Sequence, residues 1–234
     1  MKHLFAILFF FTCTSSCSKK ETEIMPQPVV AKKYHYLALG DSYTIGEMVA
    51  PPDNFPGQVY SLMKSDTVNF QPARIIAKTG WTTDELETGI LAASTADPLR
   101  PSYDFVSLLI GVNNQYRGRS VDSYKPAFEE LLKKAIRFAG DRADKVVVLS
   151  IPDWGVTPFA NGRDRAQIAS EIDAYNAANK EITLRYNVHY IDITAWTREA
   201  ATDLTLLAGD GLHPSGKEYK RWAEKISTFF KSKL

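Results

Sequence analysis

Tyr36-Leu37-Ala38-Leu39-Gly40-Asp41-Ser42 is a short apolar run that breaks at a glycine and ends on a serine. The run reads as a buried strand, and Gly40-Asp41 as the turn leading from it toward a helix. Ligands of open α/β sheets bind in the crevice outside the carboxyl ends of the strands. Ser42 is therefore placed for nucleophilic chemistry.

The same pattern continues outward. Apolar, β-branched runs at His35–Leu39, Arg74–Ala77, Phe105–Ile110, Lys145–Ile151 and Val188–Ile193 read as five strands. Helical segments are expected near Asn54–Lys64, Thr83–Ala93, Ser123–Phe138, Arg165–Tyr186 and Ser215–Lys231. In the last of these, Tyr219, Trp222, Ala223, Ile226 and Phe230 share one face. Thr82 or Thr83 caps the second helix, Ser123 starts the third, and Pro126 is tolerated in its first turn. Strict alternation implies a parallel sheet with helices on both faces. Right-handed crossovers then give a three-layer α/β/α sandwich.

With 234 residues, 44% hydrophobic and 24% charged, the chain suits one sizeable globular core. A net charge of +1 argues against a nucleic-acid partner. Lys2, the apolar stretch Leu4 to Phe11 and the small residues near Ser15-Ser16 describe a bacterial secretory signal over residues 1–16. Cys17 resembles the acylated cysteine of a bacterial lipoprotein, the alternative being cleavage nearby without lipid. A membrane-anchored place in the cell envelope is expected, with residues 17–33 as a flexible tether carrying Pro26 and Pro28. The two cysteines, Cys13 and Cys17, both precede the expected domain at 34–234, which therefore holds no disulfide.

A serine nucleophile needs a base, and the chain has four histidines. His3 lies in the signal segment; His35 and His189 sit in strands, where a packed role is expected. His213 stands in the loop Asp210-Gly211-Leu212-His213-Pro214 and is the base by elimination. Asp210 is near enough to hold the His213 δ nitrogen across a tight turn that Gly211 permits. Read alone, Asp210-Gly211 is equally an ordinary surface turn. Asp153 and Asp192 are expected to be structural. Acyl transfer also needs donors aimed at an oxyanion. Two more strand ends offer them: Gly80, through its backbone N–H, and Asn113, through its side-chain amide. A turn glycine and a capping asparagine are the plainer readings.

These four segments, in this order, resemble the SGNH or GDSL hydrolase family. Gly40-Asp41-Ser42 matches its first block, Gly80 its second, Asn113 its third, and Asp210 with His213 its last. The resemblance covers nearly the whole chain after residue 33. It implies a flavodoxin-like parallel five-stranded sheet and a serine esterase with Ser42, His213 and Asp210 as triad. The oxyanion hole would be formed by Ser42, Gly80 and Asn113. Asn114 replaces the acid that usually closes the third block. The Gly-x-Ser-x-Gly elbow of α/β-hydrolases is absent, since Tyr43-Thr44 follows Ser42. No cofactor and no metal are expected. The substrate reads as a lipid or short acyl ester, with an acetylated carbohydrate as the alternative; a thioester substrate or an acyl-transferase role would keep the same residues. A binding module on a degenerate scaffold is the rival class. Trp81, Tyr116, Trp154 and Phe159, together with the stretch Glu47–Gly57, are the candidates for lining a pocket.

Overall fold

The computed structural model describes residues 32–234. The signal segment, Cys17 and almost all of the tether lie outside the described residues. In chain order the elements are β1 (Lys33–Tyr34), β2 (Tyr36–Asp41), α1 (Ser42–Ile45), α2 (Phe55–Met63), β3 (Asn69–Phe70), β4 (Arg74–Lys78), α3 (Thr83–Ala96), β5 (Phe105–Leu109), α4 (Val112–Tyr116), α5 (Val121–Phe138), β6 (Val146–Leu149), α6 (Arg165–Arg185), β7 (His189–Ile191), α7 (Thr194–Thr197) and α8 (Gly216–Lys231).

β2, β4, β5, β6 and β7 form one parallel sheet in the order β4-β2-β5-β6-β7. The chain starts inside the sheet, steps outward once, then crosses back to fill the other side. That is the flavodoxin-like order, with its switch point beside β2. Every residue of β2, β5 and β6 is buried, as expected of strands covered on both faces. Each fully buried large apolar side chain in such a run contributes about 1.5–3 kcal/mol.

α2 packs against α8 on one face of the sheet, while α3, α5 and α6 pack in sequence on the other. Phe230 of α8 lies on Phe105 of β5, with ring centroids 4.3 Å apart, and meets the Tyr36 ring edge-on at 5.2 Å. The five residues expected on the buried face of this last helix are all buried.

Several expectations are corrected. β1 and β3 pair into a separate two-stranded sheet that two-residue runs could not announce. α5 begins at Val121, because the Ser120 hydroxyl accepts from the Ser123 N–H at 3.2 Å and serves as its cap. Pro126 therefore lies inside the helix, in its second turn. Thr82 caps α3, and Glu85 accepts from the Thr82 N–H at 2.9 Å. His189 is exposed on the edge strand, its ring stacked on Phe229 at 4.2 Å, so it is not a core residue. Among the described residues no helix is long and apolar enough to cross a membrane.

Candidate active site

Pairing within the sheet sets the first three stations side by side. Gly40 faces Ala77 on one neighbour and Leu109 on the other. The chain therefore leaves β2, β4 and β5 at one edge, into Ser42, Gly80 and Asn113. Neighbouring parallel strands lie about 4.8 Å apart, so these residues converge without help from long loops.

Ser42 is the first residue of α1, whose cap is Asp41: the Tyr43 N–H donates to Asp41 Oδ1 at 3.0 Å. A Cβ on Gly40 would fall 2.5 Å from the Leu109 carbonyl and 2.1 Å from Thr44 Oγ1, so only glycine fits beneath the turn. Gly80 has φ +81°, a left-handed conformation that a side chain would strain. Its carbonyl accepts from Arg117 at 2.7 Å, and Arg117 is in turn paired with Glu85 at 3.1 Å. That clamp fixes the Gly80 carbonyl and the strand-end turn that carries it. Asn113 belongs to the one-turn helix α4 rather than to a loop; its amide donates to the Trp81 carbonyl at 3.1 Å and reaches Asp41 Oδ2 at 3.4 Å.

His213 arrives from the far end of the chain. An isolated antiparallel bridge between Leu207 and Pro214 holds its loop, and the Ala208 N–H donates to the His213 carbonyl at 2.7 Å. Gly211 turns the chain with φ +66°. Asp210 Oδ1 accepts from the N–H groups of Leu212 and His213, both at 3.0 Å. Asp210 Oδ2 accepts from His213 Nδ1 at 2.6 Å, and His213 Nε2 lies 2.9 Å from Ser42 Oγ. With the proton on Nδ1, Nε2 is free to accept from the serine hydroxyl. Ser42 and His213 are only 3% and 7% exposed.

Burial pushes the Asp210 carboxyl up, but the hydrogen bonds from His213 and the two backbone N–H groups prevail and hold it below its ordinary value. Asp41 behaves oppositely. Full burial raises it to about 7, against the weaker opposing pull of the Tyr43 N–H and the Asn113 amide. The folded state therefore keeps this proton longer than the unfolded chain, and stability falls as pH rises from about 4 to about 7. At full ionisation the cost is on the order of 4 kcal/mol. In Asp41→Asn the loss of urea midpoint between pH 5 and pH 8 is expected to be smaller than in wild type. An equal loss in both proteins would remove Asp41 as its source.

The remaining expectations divide cleanly. Asp153 is buried and paired with Arg198 at 2.9 Å, and Asp192 accepts from the Thr194 N–H at 2.9 Å, so both are structural. Asn114 is buried and brackets Thr83: its Oδ1 accepts from the Thr83 N–H at 3.1 Å, and its Nδ2 donates to the Thr83 hydroxyl at 2.9 Å. The asparagine thus supports the start of α3. A pocket of about 190 Å³ opens over Ser42 and His213, walled by Val112, Tyr116, Trp154, Phe159 and Leu212. Trp81 is not among its walls; it packs beneath Gly89 against the core. The segment 47–57 contributes no wall either, and touches the pocket only through Glu47, which accepts from the Thr79 hydroxyl. Arg117 and Gln115 were not singled out by sequence reasoning, and Asp41 was read only as part of the turn before Ser42. Among the described residues no group of three or more His, Cys, Asp or Glu is placed to hold a metal.

A sheet of this order, with a Ser–His–Asp chain of hydrogen bonds at its carboxyl edge, is the arrangement of a hydrolytic α/β enzyme. Residues 38–221 match the GDSL-like lipase/acylhydrolase family, and the chain belongs to that family. No curated protein sequence matches it. Among solved structures it resembles TesA, with a TM-score of 0.63 at 15% identity over 87% of this chain and 100% of that one. The psychrotrophic esterase EstA from Pseudoalteromonas sp., inhibited by monoethylphosphonate, gives 0.62 at 16% identity, over 85% and 97%. Axe2, an acetylxylan esterase from Geobacillus stearothermophilus, gives 0.61 at 18%, over 84% and 94%. At such identities the likeness is one of fold.

Proposed function

We propose that the protein is a serine esterase that hydrolyses carboxylic esters of short acyl groups. The observation that carries this reading is the unbroken chain from Ser42 Oγ to His213 Nε2 at 2.9 Å and from His213 Nδ1 to Asp210 at 2.6 Å. His213 takes the proton of Ser42 as Oγ attacks the acyl carbon, and the Asp210 carboxylate stabilises the imidazolium. The oxyanion is held by the N–H groups of Ser42 and Gly80 and by the Asn113 amide, which gives up its long 3.4 Å contact to Asp41 Oδ2 to do so. The acyl C–O bond then breaks, and His213 returns the proton to the departing alcohol. Water, activated by His213, attacks the acyl-serine and releases the carboxylic acid.

The pocket supports a short acyl group. Tyr43, Trp154 and Leu212 close its inner end, and behind them lies space of only about 10 Å³, the room of a single water. A long lipid tail would have to displace that wall.

The test is hydrolysis of 4-nitrophenyl acetate and butyrate together with labelling by a fluorophosphonate. Wild type is expected to do both; a folded wild type that does neither overturns the reading. Asn113→Ala is expected to lower kcat about 10²–10³-fold with little change in KM, because the donor acts on charge that develops only in the transition state. A rise in KM with kcat unchanged would place Asn113 in ground-state binding instead.

A further inference from the structure

A side-chain amide has nearly the same shape at both ends, but one end donates hydrogen bonds and the other accepts them. Asn113 can serve an oxyanion only if its nitrogen, not its oxygen, is kept toward the substrate. Two acceptors stand on the nitrogen side. Nδ2 donates to the Trp81 carbonyl at 3.1 Å and to Asp41 Oδ2 at 3.4 Å. Both are held in place. The Trp81 N–H donates to the Lys78 carbonyl at 3.2 Å, which closes the turn after β4. Asp41 Oδ1 accepts from the Tyr43 N–H at 3.0 Å, which leaves Oδ2 turned toward Asn113. An amide rotated end for end would set its oxygen against both acceptors.

The two contacts differ in strength. At 3.1 Å the bond to Trp81 is firm, whereas 3.4 Å to Asp41 is long, so the hydrogen on that side is the one an oxyanion can take over. Asp41 has this effect only as a carboxylate. When it is protonated, Oδ1 still accepts from Tyr43, so the proton sits on Oδ2, which becomes a donor. A donor there favours the rotated amide, whose oxygen can accept from it. Full burial raises this carboxyl to about 7, so the two forms exchange near neutral pH.

The surroundings of Asp41 offer no other control. Tyr43 of α1, Tyr124 of α5 and Tyr219 of α8 face it, and burial pushes all three phenols up, so they stay neutral. The Tyr43 ring also meets the His213 ring, 4.9 Å between centroids, and senses the Asp210 and Asp153 carboxylates, while Tyr219 senses Glu47. Lys78, the register partner of Asp41 on β4, is exposed. Among the described residues no cation pairs with Asp41. Resting on the esterase reading above, we propose that Asp41, as a carboxylate, is a positioning residue. With the Trp81 carbonyl it keeps the Asn113 nitrogen toward the substrate, and it releases one hydrogen to the oxyanion in the transition state. Capping α1 is then only half of what this side chain does.

The experiment is a double-mutant cycle on 4-nitrophenyl acetate at about pH 8, with wild type, Asp41→Asn, Asn113→Ala and the double variant. Asp41→Asn keeps an oxygen for the Tyr43 N–H and sets an NH₂ where Oδ2 stood. It is expected to lower kcat about ten-fold with KM unchanged, the effect of one orienting hydrogen bond. In the Asn113→Ala background the same change is expected to cost less than about two-fold. Equal losses in both backgrounds show that Asp41 acts through the turn alone, and overturn the proposal. A higher kcat in Asp41→Asn shows that its charge opposes the oxyanion, and overturns it too. Should Asp41→Asn fail to fold, wild type and Asn113→Ala decide the matter. Their kcat ratio is expected to rise about ten-fold from about pH 5 to about pH 8, because protonation of the base affects both alike and cancels. A constant ratio overturns the proposal and leaves the esterase reading standing. Folded wild type that neither hydrolyses the ester nor labels with a fluorophosphonate overturns the esterase reading, and this inference with it.

Discussion

Ser42→Ala is expected to reduce kcat on 4-nitrophenyl acetate by about 10⁴–10⁶-fold and to abolish fluorophosphonate labelling. The substitution removes one oxygen from a side chain that is 3% exposed and leaves the backbone of α1 intact. The cap from Asp41 to the Tyr43 N–H does not involve the lost atom. Thermal unfolding should therefore stay close to wild type, which separates lost chemistry from lost fold. The proposed oxyanion donors, Gly80 and Asn113, remain, so residual turnover above the uncatalysed rate is expected. Labelling of the variant at the wild-type rate would remove Ser42 as the nucleophile.

Asp210→Asn is expected to lower kcat about 10⁴-fold, a loss out of proportion to the size of the change. The asparagine carbonyl oxygen can still accept from the N–H groups of Leu212 and His213, which keeps the turn in place. Its NH₂, however, now faces His213 Nδ1, where Asp210 Oδ2 accepted at 2.6 Å. Nδ1 must become the acceptor, the proton moves to Nε2, and the ring can no longer take the serine proton. KM should change little, and slow labelling by the fluorophosphonate should persist. A kcat within ten-fold of wild type would show that Asp210 does not set the tautomer. Neither Asp153 nor Asp192 is free to replace it, since they are committed to Arg198 and to the Thr194 N–H.

The parts legible in the sequence are those whose cause is local. β2, β5 and β6 are buried on both faces, so their residues are apolar save Asp41 at the end of β2 and Ser107 within β5, and such runs are visible at a glance. Asp210 and His213 are three residues apart, so one turn explains their contact. What stayed hidden depends on contacts between distant segments. Arg117 reaches the Gly80 carbonyl across 37 positions, Asn113 meets Asp41 across 72, and Gln115 meets Glu171 across 56. No periodicity announces such pairs, because long polar side chains choose partners by what folding brings within reach. His189 misled for a related reason. A strand at the sheet edge looks apolar in sequence, yet it pairs with a neighbour along only one of its edges.

The register of β2 against β4 and β5 has a consequence for how this molecule can vary. The spacing of Ser42, Gly80 and Asn113 is written into main-chain pairing, which side-chain replacement scarcely touches. The groups that line a cleft beside the pocket, from Trp154 to Glu171, sit on turns and a helix outside that ladder. Replacing side chains in residues 154–171 leaves the spacing of Ser42, Gly80 and Asn113 unchanged, because main-chain pairing sets it.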